Sequence, residues 1–151
     1  MANIDTSELD GFARDLLNMA NDELPKESKK FLRKEATKLR KKTLNKAKSL
    51  TNKKTGNYYK GIKKGKVYHY RDKKNNSIRV YGGSPHAHLI EYGHRQVSKN
   101  GVESGFVEGK HVFEKSAKEF ESEFNKDCEN FAEDMLKELS KWLVYWKLIK
   151  L

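Results

Sequence analysis

At 151 residues the chain has the length of one ordinary domain, and with 36% hydrophobic against 35% charged residues its core is small for that length. Such a chain is either elongated or completes its core against copies of itself. A net charge of +11 favours contact with nucleic acid, an anionic membrane or an acidic protein surface without choosing among them, and the single cysteine, Cys128, excludes an internal disulfide.

The first residues lack a basic segment followed by an apolar one, so no secretory signal is expected, and no apolar run reaches the ~20 residues that span a bilayer. A soluble protein with no membrane partner is the expectation. Thr6 or Ser7 is placed to cap a first helix, along which Leu9, Phe12, Leu16, Leu17, Ala20 and Leu24 recur at helical spacing. Pro25 predicts a break or kink, because proline is tolerated only in a helix's first turn. A second helix is then expected from about Lys26 to Leu50. Its narrow apolar stripe is Leu32, Ala36, Leu39, Thr43, Ala47 and Leu50, and lysine and arginine cover much of the rest. Together these form a helical region over 1–50.

Residues 51–59 read as a loop. In the 58–83 region, 66–71 and 77–81 are rich in β-branched and aromatic residues and flank the turn-forming D-K-K-N-N, which predicts a β-hairpin. Residues 61–65 are a candidate third strand. Within 84–109, a short helix over 87–92 stops at Gly93, and a three-glycine loop follows over 97–109, with a short strand conceivable at 105–108. Residues 110–151 form the clearest element. Phe113, Ala117, Phe120, Phe124, Cys128, Phe131, Met135, Leu139, Trp142, Trp146 and Ile149 alternate at spacings of three and four along a helix of roughly 60 Å. One small domain does not easily cover so long a stripe, so the end of this helix is expected to pack on a partner subunit. Cys128, placed among Phe124, Phe131 and Met135, reads as a small buried side chain.

Charge is segregated. Residues 26–79 carry about +18 and residues 114–138 about −5, so a basic and an acidic helix are available to pair within or between subunits. His86, His88, Glu91 and His94 crowd into nine positions, which raises a metal-dependent enzyme using His86, His88 and Glu91 as one reading. The run has neither an H-E-x-x-H nor a paired C-x-x-C. No nucleophile sits with a recognisable base, and no phosphate-binding glycine loop is present, so neither catalysis nor a cofactor is expected.

Thr55-Gly56-Asn57-Tyr58, the hairpin over 66–81, Ala87-His88-Leu89-Ile90-Glu91-Tyr92-Gly93, and Phe113 followed by Ala117 occur in an order that resembles one family. These are the small phage neck and tail-completion proteins named after the tenth gene product of a lambdoid coliphage. The resemblance implies an α+β fold, with long N-terminal and C-terminal helices packed on a small antiparallel sheet with a long loop, all in one domain over 1–151. It also implies structural work without catalysis. The expected form is a homo-oligomeric ring, of six or twelve copies, at the head–tail junction or upper tail end. It would lie between connector and tail-terminator proteins in the virion, after assembly in the host cytoplasm. Phe131, Met135, Leu139, Trp142, Trp146 and Ile149 are then the subunit-contact candidates, and Lys99, Asn100, Val102, Phe106 and Glu108 the contacts to an adjoining ring. Glu91, Tyr92 and Gly93 shape the end of the short helix. Lys34, Lys38, Lys41 and Lys42 are candidates to face passing DNA. The alternative reading is a basic accessory protein that binds nucleic acid non-specifically.

Overall fold

A computed structural model describes residues 7–52, 55–69 and 76–148. Twelve elements follow in order: α1 (Ser7–Asn18), a π-helical turn (Met19–Glu23), α2 (Leu24–Leu50), α3 (Asn57–Gly61), β1 (Ile62–Lys64), β2 (Tyr68–His69), β3 (Asn76–Ser77), β4 (Val80–Gly82), α4 (Ala87–Tyr92), β5 (Gly93–Val97), β6 (Glu103–Glu108) and α5 (Val112–Leu148). The described residues are mostly helical, with long helices at both ends and small antiparallel ribbons between them, an α+β architecture.

Pro25 does not break the N-terminal helix. The backbone stays helical through Asn18 and Glu23, and the Leu24 N–H donates to Met19, five residues back. A proline ring collides with the carbonyl four residues earlier, and widening the preceding turn to the π spacing removes that collision without ending the helix. Residues 7–50 therefore form one continuous rod. α5 runs antiparallel to it. Phe31 stacks on Phe131 with ring centroids 4.8 Å apart and lies 6.1 Å from Phe124.

The three ribbons are separate two-stranded pairs rather than one sheet. β1 pairs with β4, and β2 with β3, so 61–65 supplies no third strand: Ile62–Lys64 is the near end of the same hairpin. The expected strand ends at 70 and 71 lie outside the described residues. The loop expected over 51–59 ends in α3 instead. Gly56, at φ +78, turns the chain, and its carbonyl accepts from the Lys60 N–H. Tyr59 ties this helix to the end of α2 by donating its hydroxyl to the Thr51 carbonyl at 2.9 Å. The loop over 97–109 is largely strand, since β5 and β6 pair from Gly93↔Glu108 to Val97↔Glu103 with an irregularity at 96/97.

The core is small and sits where all these pieces meet. Ala47, Ile62 and Val112 are fully buried, ringed by Leu44, Leu50, Tyr58, Tyr59, Val80, Ile90 and Phe113. Of the stripe along α2, Ala36, Thr43 and Ala47 are buried, whereas Leu32, Leu39 and Leu50 are half-buried.

Candidate functional site

Three surfaces have a defined geometry. The first is the junction at Glu91. Glu91 is 7% exposed, and its carboxylate accepts from the Phe113 N–H through both oxygens and from the Glu114 N–H, all at 3.1 Å. A helix's first amides have no partner of their own, and a carboxylate there satisfies them while favouring the positive end of the macrodipole. The Glu91 carbonyl also accepts from His111, and that of Ile90 from Lys110. α4 therefore holds the start of α5 in place. A metal reading of His86, His88 and Glu91 conflicts with this arrangement, because both Glu91 oxygens are committed to amides. Among the described residues no group of three potential ligands gathers. Burial first, and then the Glu91 charge, pushes the Tyr58 hydroxyl up to about 12. Tyr58 and Ile90 pack on the same small core, which brings the T-G-N-Y and E-Y-G segments to one place.

The β5–β6 ribbon leaves the body at this junction as an arm. Gly93 has φ +85, and a Cβ there would fall on the Val107 carbonyl oxygen, so only glycine fits. Tyr92 points outward at 73% exposure, and Val97, Val102 and Phe106 are exposed along the arm. Lys99, Asn100 and Glu108 are exposed too. The tip turns through Gly101 (φ +78), with the Ser98 N–H donating to the Val102 carbonyl at 2.8 Å. Arg95 and Glu103 face each other across the strands at 3.4 Å. Both long edges of the ribbon are open among the described residues, an arrangement that natural proteins usually cover.

The second surface is the seam between α2 and α5. The basic and acidic helices pair within the chain. Lys46 reaches Glu119 at 2.6 Å, Lys42 reaches Glu123 at 2.6 Å, and Lys38 bridges Asp127 and Glu35. Lys38 and Lys42, expected to face DNA, are therefore turned towards α5, while Lys34 and Lys41 are exposed. Partly solvated pairs of this kind contribute about 0–1 kcal/mol each, so they set register more than stability. Burial raises the Glu35 carboxyl above its ordinary 4.5, whereas Lys38 holds Asp127 below its ordinary value. The sign for Glu35 follows from linkage: the folded chain binds this proton more tightly than the unfolded chain. Its contribution therefore falls as pH rises above 4.5 and is lost once the folded group ionises. Glu35→Gln keeps the shape and removes the charge. The variant should melt above the wild type at pH 8 and level with it at pH 4; an equal difference at both values would contradict the assignment. Cys128 is half-buried rather than buried, and its thiol is raised by the same desolvation.

Beyond Phe131 the seam opens. A groove of ≈ 730 Å³ lies between the two rods, lined by Leu16, Met19, Leu24, Met135, Leu136 and Leu139 among others. Leu16, Leu17, Leu24, Leu136 and Val144 are exposed. Of the subunit-contact candidates, Phe131 is used inside the chain against Phe31, and Met135 and Leu139 line the groove half-buried. The side chains of Trp142 and Trp146, and all of Ile149, lie outside the described residues. Phe31 was missed by the sequence reading, although its position one turn before Glu35 on the α5-facing side was open to inspection.

The third surface is the outer face of α2, where Lys34, Lys41 and Lys48 are exposed. No helix among the described residues is long and apolar enough to cross a membrane.

No curated protein and no solved structure matches the chain at a significant level. One family profile does match, over residues 11–93, which runs from α1 to Gly93 and takes in both the T-G-N-Y and E-Y-G segments. That is more than half of the sequence, and it establishes that the chain belongs to the HK97-gp10-like family, described as a bacteriophage tail component.

Proposed function

We propose that the chain is a non-enzymatic structural subunit of a phage or prophage tail. Copies assemble into a ring at the head–tail junction or upper tail end, joining a connector to a tail terminator. The open seam carries this reading. Two antiparallel helices bury only their shared face, and here five large apolar side chains remain in water at the far end of the pair. A second copy covers them at the gain of roughly 25 cal/mol per Å² of apolar surface removed from water. Met135 and Leu139 line that groove, and Trp142, Trp146 and Ile149 continue the same apolar repeat in the sequence. The arm supports the ring form. Lys99, Asn100, Val102, Phe106 and Glu108 project on a ribbon with open edges, and such a ribbon suits a heterologous, head-to-tail contact that closes by rotation or reaches an adjoining ring.

Leu17 is 59% exposed and Leu136 is 64% exposed, so charge at either place is tolerated by the single chain. The double variant Leu17→Glu/Leu136→Glu should be a folded monomer by native mass and ultracentrifugation, where the wild type gives a closed oligomer. A wild-type chain that stays monomeric at high concentration would overturn the ring.

A further inference from the structure

The outer face of α2 has a composition that an ordinary solvated face lacks. From residue 28 to residue 69 there are sixteen lysines and arginines and a single carboxylate, Glu35. That carboxylate is 3% exposed and points away into the α5 seam. Surface helices normally mix both signs at i, i+4 spacing. The carboxylate that α2 does bring to the surface is Glu27 in its first turn, paired with Lys30 at 2.5 Å; from there across to β2 none reaches the surface among the described residues.

The structure divides the lysines of α2 into two populations. Lys38, Lys42 and Lys46 are neutralised by Asp127, Glu123 and Glu119 respectively. Lys34, Lys41 and Lys48 lie a quarter-turn away, exposed and without an ion pair among the described residues. They recur every seven residues, which spreads them over about 21 Å of helix. Lys64 extends the face sideways, its amine donating to the Thr37 hydroxyl at 2.6 Å. Among the described residues the same face carries no large exposed apolar side chain between Leu24 and Tyr68. Protein interfaces need buried aromatic or aliphatic anchors, and membrane-surface helices need an apolar face to insert. A phosphate backbone needs only charge.

We infer that this face, through Lys34, Lys41 and Lys48, binds the phosphate backbone of duplex DNA without reading sequence. The inference rests on the tail-subunit reading only for the choice of DNA over RNA.

The test measures anisotropy of a labelled 30-base-pair DNA duplex with the full-length chain across a salt series. Two duplexes of unrelated sequence should bind alike. Each neutralised phosphate contributes about 0.9 to the log–log salt slope, so Lys34→Gln/Lys41→Gln/Lys48→Gln should flatten the slope by about 2–3 and weaken low-salt binding at least about tenfold. Lys38→Gln/Lys42→Gln should leave the slope unchanged, because those amines already face carboxylates. Absence of binding at low salt, an unchanged slope in the triple variant, or an equal loss in the double variant would overturn the inference. So would tighter binding to a 30-base-pair RNA duplex, to single-stranded DNA or to phosphatidylserine vesicles. Native mass taken alongside separates the two readings: a monomeric wild type ends the ring, while the slope decides the DNA face.

Discussion

Glu91→Ala should destabilise the chain by about 3 kcal/mol, measured by denaturant unfolding followed at 222 nm. Three hydrogen bonds to a buried carboxylate disappear at once, and the Phe113 and Glu114 amides lose the side chain that caps them. For a chain of this length that corresponds to a fall in melting temperature of roughly 10 °C. Glu91→Gln keeps a carbonyl acceptor but loses the charge at the positive helix end, so it should fall between the alanine variant and the wild type. The loss should also appear locally, because the Lys110 and His111 amides donate to carbonyls of α4. Faster hydrogen exchange at those two amides in Glu91→Ala is the expected companion result. An alanine variant within about 0.5 kcal/mol of the wild type, within the usual range for neutral surface changes, would contradict the capping role.

Ile62→Ala should cost about 3–4 kcal/mol in the same assay. Ile62 is fully buried and enters the core from the base of the hairpin, against Ala47 of α2 and Val112 of α5. The backbone is anchored there as well, since the Ile62 carbonyl accepts from Arg40 at 2.8 Å. A cavity at that point removes the main apolar attachment of a ribbon that a two-stranded sheet cannot replace. Leu136→Ala gives the contrast. At 64% exposure its truncation should change monomer stability by less than about 0.5 kcal/mol, so any larger effect on the assembled protein reports on the subunit contact.

The short helix ending at Gly93 was legible because a left-handed stop needs glycine and the preceding residues lack breakers. Both long helices were legible from their apolar spacing. The arm was not. Strands announce themselves by alternation, and alternation reflects burial on one face; Val97 to Glu108 is exposed almost throughout and carries glycines at 101 and 105, so no period forms. α3 was missed because five residues are too few to show a helical repeat. At Pro25 the one-dimensional rule against proline in a helix was correct about the collision and silent about the π turn that avoids it.

Glu91 illustrates the limit of site reading. The sequence placed a carboxylate among histidines and marked it as shaping a helix end, but the helix it serves begins twenty-one residues later, at Val112. No spacing rule links the two, since the chain makes a whole ribbon between them.

Residue order alone settled which segments are helical, the stop at Gly93, the segregation of charge and the apolar excess towards the C-terminus, because each depends on neighbours within a few positions; it did not settle that the first two helices join into one rod across Pro25. Which lysines remain free for an outside partner was settled only by folding. Charge carries sign but no address: with Phe31 stacked on Phe131, α2 lies against α5 so that Lys38, Lys42 and Lys46 meet carboxylates while Lys34, Lys41 and Lys48 are exposed.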